Sequence, residues 1–190
     1  VAAAARGCKR LRQLRIDDNL SIALTGIFTA PDPAPTTAEA EGGEEQKQAQ
    51  ELLPLPPVPP LEELSLMGCF RVERSALLED VPRLGSTLRV LRVSELSSVR
   101  DDVLDALSLR LPRLTAITLR RCSNLSTEAL LRALTRWRRL EVCELSSIPG
   151  VTSAVVEQLA ESAGERLREC DLDGCTRIEP WALVRLLRAC

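Results

Sequence analysis

"LTAITLRRC", residues 114–122, and "LRECDLDGC", residues 167–175, share one plan: an apolar residue or cysteine at positions one, four, six and nine, with polar or small residues between. The same pattern, written LxxLxLxxC, fits "LRQLRIDDN" at 11, "LEELSLMGC" at 61, "LRVLRVSEL" at 88 and "LEVCELSSI" at 140. From 61 onward the starts fall at 61, 88, 114, 140 and 167, so successive spacings are 27, 26, 26 and 27. A motif that returns at a nearly fixed period is the mark of one supersecondary unit stacked on copies of itself.

Alternation at positions four, five and six predicts a short strand with one buried face, and positions one and nine turn inward at its ends. A helical signature follows the motif. "STEALLRAL" at 126 offers Ser126 and Thr127 as caps and sets Ala129, Leu130, Ala133 and Leu134 on one face. "DDVLDALSL" from Asp101, "TSAVVEQLA" from Thr152 and "EPWALVRLL" from Glu179 repeat the scheme, the last with Pro180 at the first helical position. One strand-turn-helix unit cannot bury its own apolar face, so neighbours must stack. Parallel strands lie about 4.8 Å apart and a helix is about 10 Å across, so the row of strands must curve inward. The expected fold is an α/β solenoid, a horseshoe of about six strand-helix repeats with a parallel sheet on the concave face and helices on the convex face.

With these motifs the sequence resembles the leucine-rich repeat family, in particular its cysteine-containing subfamily, of the F-box and ribonuclease-inhibitor type. The resemblance covers nearly the whole chain outside roughly residues 30 to 60. Two features depart from the subfamily pattern: Ser153 stands where Asp is usual, and position nine holds Asn19, Leu96 and Ile148 in three of the units. The resemblance implies a binding arc without catalytic function, and in the F-box proteins such an arc presents substrates to a ubiquitin ligase. No F-box-like segment is present in this sequence. Repeats of GTPase activators run slightly longer than those seen here.

The interval between the first two motifs, from 11 to 61, is too long by about one repeat. The excess is "APDPAPTTAEAEGGEEQKQAQELLPLPPVPP", residues 30–60, which holds eight of the twelve prolines and six acids against Lys47 alone. Such a composition predicts a disordered acidic loop; "PLPPVPP" lacks the flanking basic residue of a proline-recognition ligand and reads as linker. The domain plan is therefore a first repeat with the tail of a preceding one at 1–29, an insertion at 30–60, and five consecutive repeats at 61–190. Cys8 and Cys190 occupy places where a helix of the array ends, and neither terminus shows a polar cap. The array is expected to continue beyond residue 190 or to be covered by another subunit.

Composition narrows the chemistry. The 190 residues contain no histidine and no tyrosine, which removes the commonest general base and every Ser/His or Cys/His nucleophile pair. No cofactor and no metal is expected. Cys170 and Cys175 have no second pair or histidine to complete a zinc set. Instead Cys69, Cys122 and Cys175 at position nine, and Cys143 and Cys170 at position four, are expected to point inward as small apolar residues. No run of apolar residues is long enough for a transmembrane helix, and no secretory signal opens the chain. The seven cysteines then read as reduced thiols of an intracellular protein, cytoplasmic first, with nuclear, ciliary and mitochondrial sites as alternatives.

Positions three, five and seven face away from the helices and form the open surface. They place Arg15 in the first unit, Arg92 and Arg120 in the middle of the array beside small residues, and Glu144, Glu169, Asp171 and Asp173 toward the acidic last units. These seven residues are the candidate protein-binding set, with Arg92 and Arg120 as its anchors, because arginine is enriched among residues that dominate interface energetics. The row Glu169, Asp171 and Asp173 reads as a partner-facing acidic edge rather than a calcium or acid/base site. Between residues 100 and 140 nine arginines meet four acids. With Phe28, Phe70, Trp137 and Trp181 as the whole aromatic complement, nucleic acid is a weaker reading than protein contact, except as RNA inside a large particle. Two uses of the arc remain: substrate recognition for a ubiquitin ligase, or a structural subunit of a large ciliary, mitochondrial or ribosomal assembly.

Overall fold

The structure is a computed structural model that describes residues 10–18 and 60–190. It has an α/β fold. Strands β1 (Gln13–Arg15), β2 (Glu63–Met67), β3 (Val90–Ser94), β4 (Ala116–Arg120), β5 (Val142–Glu144) and β6 (Glu169–Asp171) form one open, all-parallel sheet in chain order. Every pairing aligns equal motif positions, so Arg15, Ser65, Arg92, Thr118, Glu144 and Asp171 make one continuous row. A slip of one residue would turn the apolar set to the wrong face, and the alternation therefore enforces this register. The expected insertion at 30–60, except Pro60, the expected tail of an earlier repeat before Arg10, and the motif end at Asn19 lie outside the described residues.

Positions four and six supply the strand side of the core: Leu64, Leu66, Leu91, Val93, Ile117, Leu119, Cys143 and Leu145 are all buried. Helices α1 (Asp101–Arg110), α2 (Thr127–Arg136), α3 (Ser153–Ala163) and α4 (Pro180–Ala189) each follow a strand, and each packs on the next. In α2 the buried residues are Ala129, Leu130, Ala133 and Leu134, the face that the periodicity predicts. Ser126 caps it, its Oγ accepting from Ala129 N at 3.2 Å. The helix starts also bond to one another: Asp101 Oδ1 accepts from Ser126 N at 2.8 Å, and Ser153 Oγ accepts from Glu179 N at 2.9 Å. Asp101 and Ser153, the first residues of their helices, thus satisfy the backbone N–H of the cap residue that opens the next helix, Ser126 and Glu179.

The segment after β2 departs from the strand-turn-helix scheme. A π-helical turn, Ala76–Asp80, runs into a 3-10 turn, Val81–Leu84. Pro82 explains why no regular α-helix forms: it lacks an N–H and disfavours α geometry in the residue before it. Ala76, Leu77, Val81 and Leu84 are nevertheless buried, so the irregular segment still closes the core over β2 and β3.

Position eight of all six motifs has a positive φ: Asp18, Gly68, Glu95, Arg121, Ser147 and Gly174, with values between 53° and 70°. Only two of these residues are glycines, although a non-glycine residue costs about 1–2 kcal/mol in this region. Stacking offsets part of that cost. It sets Arg121 beside Glu95 on the adjacent turn, with Arg121 Nη1 donating to Oε1 at 2.8 Å.

Cysteines at position nine tie one unit to the one before it. Cys175 Sγ donates to Leu145 O at 2.9 Å, and Cys69 Sγ reaches the equivalent carbonyl of Ile16 at 2.5 Å. Burial pushes the Cys122 thiol up to about 11 and the Cys143 thiol well above its ordinary value. No disulfide joins the described cysteines. Two expectations need correction: Cys170 is exposed and Cys175 only half-buried. Both belong to the last described strand-helix unit, and no further unit among the described residues packs on them. Under native conditions Cys190 is therefore expected to react with a maleimide first and Cys170, exposed but with its thiol pushed up to about 11 by burial, more slowly, while Cys69, Cys122 and Cys143 stay unlabelled until urea unfolds the chain. Peptide-level mass spectrometry reads the order, and early labelling of Cys143 would contradict the packing.

Candidate functional site

The face of the sheet away from the helices carries positions three, five and seven in three in-register rows. It is uneven. Small or neutral side chains, Ser65, Ser94, Thr118 and Ser146, are buried between their neighbours, whereas the long charged ones stand above them. Arg15, Arg120, Glu169 and Asp173 are exposed, and Arg92, Glu144 and Asp171 are half-buried.

The first units are organised by a residue outside the predicted binding set. Glu63 at position three of β2 is buried, and its Oε1 accepts from Arg15 Nε at 3.0 Å, with Arg15 Nη2 at 2.8 Å. Arg92 Nη1 donates to the same oxygen. Two guanidinium groups from the flanking strands therefore hold one carboxylate across three strands. A buried charge must find such partners, because leaving it unpaired costs several kcal/mol. Arg15 and Arg92 are thus structural as well as surface groups, since both also hold the buried Glu63 carboxylate.

Arg120 differs. At position seven of β4 it is exposed and makes no ion pair among the described residues, yet its charge acts on Asp171. The Asp171 carboxyl is held below its ordinary value, first by the Asp173 backbone N–H, which donates at 2.9 Å, and then by the Ser146 hydroxyl, which donates at 2.8 Å. Arg120 adds attraction from a distance. Asp171 is therefore ionised and fixed in direction, a prepared acceptor rather than a poised acid. Glu144 lies beside it in the row, and Glu169 and Asp173 extend the acidic side. At the opposite end Asp17 mirrors Asp171, since its Oδ1 accepts from Ser65 Oγ and from Met67 N at 3.2 Å.

The structure thus brings Glu144, Glu169, Asp171 and Asp173 together on β5, β6 and the turn after β6, with Arg120 near enough to act on Asp171, and sets Arg15 and Arg92 apart around Glu63. Among the described residues, no group of three or more cysteines, aspartates or glutamates is placed to hold a metal ion. No described helix is long and apolar enough to cross a membrane. Several arginines of the 100–140 segment are engaged elsewhere. Arg132 and Arg136 of α2 reach across to Asp105 of α1 at 2.7 and 2.9 Å, and they hold the Asp105 carboxyl below its ordinary value. Spacing in the sequence could not reveal Glu63 as the centre of its cluster, because its partners lie on different strands.

Compared with protein-family models and with curated proteins, the chain finds no match in either.

Proposed function

We propose that this chain is a leucine-rich-repeat arc that binds a protein partner across its open strand face, without catalysis of its own. The observation that carries the reading is the unbroken register of six strands, which presents an exposed arginine, Arg120, next to an ordered acidic group on one accessible face. Parallel sheets ordinarily have both faces covered, and a face left open by the architecture is suited to a partner. The mixed charges favour a protein surface of complementary pattern, which fixes orientation and speeds association. Presentation of the bound protein to a ubiquitin ligase is the use that the cysteine-containing motifs suggest. A second reading, permanent residence in a large assembly, draws support from Trp181, Leu183, Val184 and Leu187 of α4, which are all exposed.

The test separates binding from folding. Arg120→Glu combined with Asp173→Lys is expected to leave the melting temperature within a degree or two, because both side chains are exposed. The same variant is expected to lose the proteins that residue-level cross-linking places on the face. Arg92→Glu is expected to cost about 1–3 kcal/mol, since it removes one of two partners from a buried carboxylate. Unchanged cross-links at unchanged stability would remove the open-face reading. Recovery of a cullin adaptor with varying substrates would favour the ligase receptor, and stoichiometric recovery of one particle the structural subunit.

A further inference from the structure

A second surface lies at the edge where chains enter β3, β4 and β5. Arg89, Thr115, Arg138, Arg139, Glu141 and Arg166 line a groove of about 540 Å³. Arg89, Thr115 and Glu141 each occupy position two of consecutive motifs. The backbone sets them side by side, Thr115 N donating to Arg89 O at 2.8 Å and Glu141 N to Thr115 O at 2.7 Å. Arg138 and Arg139 come from the turn between α2 and β5, and Arg166 from the 3-10 turn Gly164–Arg166 before β6. Stacking thus gathers four arginines from three units around one concavity.

Their pairing differs from that of three arginines on the helix surface. On the helices Arg132, Arg136 and Arg185 all pair with acids of the preceding helix. In the groove Arg138 is engaged with the end of α2, its Nε donating to Thr135 O at 3.3 Å. Arg89, Arg139 and Arg166 make no side-chain ion pair among the described residues. The one acid in the wall, Glu141, lies 3.6 Å from Arg168 Nε. Four arginines against one glutamate leave the lining at +3. Like charges gathered in a concavity repel one another, and a bound anion relieves that repulsion.

The guanidinium fork matches phosphate oxygens two at a time. Among the described residues no aromatic side chain lines the groove to stack a base, which disfavours single-stranded nucleic acid. Its volume suits one phosphorylated side chain with a few flanking residues, and Glu141 offers an acceptor to a peptide N–H. We propose that this groove binds a phosphate monoester dianion presented by a phosphorylated protein segment, a site separate from the open strand face.

Titration calorimetry of the full chain at low ionic strength tests the assignment with four probes: a short phosphoserine peptide, its unphosphorylated twin, free O-phosphoserine and a uridine-rich RNA oligomer. The phosphopeptide is expected to bind, and to bind more weakly as salt rises. Arg139→Glu with Arg166→Glu should weaken it about a hundredfold, Arg139→Gln with Arg166→Gln about tenfold, and Arg100→Glu on the far side of the sheet edge not at all. The glutamine variant, with its melting curve, guards against loss of fold. Equal binding of the unphosphorylated twin, tighter binding of the RNA, or no binding of the phosphopeptide would overturn the proposal. Free O-phosphoserine binding as tightly as the peptide would overturn the protein source and reassign the groove to a small phosphate ester.

Discussion

Replacing Trp137 by alanine is expected to lower the unfolding free energy by about 3–5 kcal/mol, a large share of the total for a domain of this size. Trp137 is the largest of the fully buried side chains and lies where α2 ends and the chain turns toward β5. Truncation removes the transfer energy of the indole and leaves a cavity in the core, which can collapse only if the surrounding residues shift. The indole Nε1 has no hydrogen-bond partner among the described residues. A buried donor left unpaired costs about 1–3 kcal/mol, so Trp137→Phe, which discards the donor along with part of the volume, is expected to be far milder than alanine. Urea unfolding followed by circular dichroism measures both, because it does not depend on the fluorophore. Equal losses for phenylalanine and alanine would mean that Nε1 has a partner in solution and is itself a stabilising contact.

Gly150→Ala is expected to destabilise by about 1–3 kcal/mol through overpacking alone. Gly150 is buried in the turn after β5, and a Cβ there would collide with Leu125 O and lie 3.1 Å from the Ser126 carbonyl carbon. Neither neighbour can yield easily. Ser126 is the cap of α2, and Thr127 Oγ1 donates to Gly150 O at 2.8 Å, which fixes the two turns against each other. In an open site the same substitution would stabilise by up to about 1 kcal/mol by restricting the unfolded chain. The sign of the change in melting temperature therefore decides whether consecutive units approach this closely. A rise would show that they do not.

Much of the architecture was legible in the nine-residue motif. Alternation at Leu64, Leu66, Ile117 and Leu119 states which side of each strand is buried, and the fixed spacing states which residues lie in register. Local chemistry marked the start of α2 at Ser126 and of α4 at Pro180. These properties depend on residues within a few positions of one another, and a period in the sequence is enough to specify them.

What the tertiary structure alone decided concerns residues about one repeat apart. Nothing in the sequence marks Asp18, Glu95, Arg121 and Ser147 as left-handed, since glycine occupies the equivalent place only at 68 and 174; the stacked turn imposes it. Glu63 is buried because Arg15 and Arg92 reach it from both flanking strands. Arg89, Arg138, Arg139 and Arg166 meet in one groove although they are spread over three units. Arg120, the candidate anchor that needs no structural partner, is separated from Arg92 on the same grounds. Periodicity determines the side of the sheet on which a residue lies, whereas its charge partners and its exposure depend on what the adjacent strands place within a few ångströms of it.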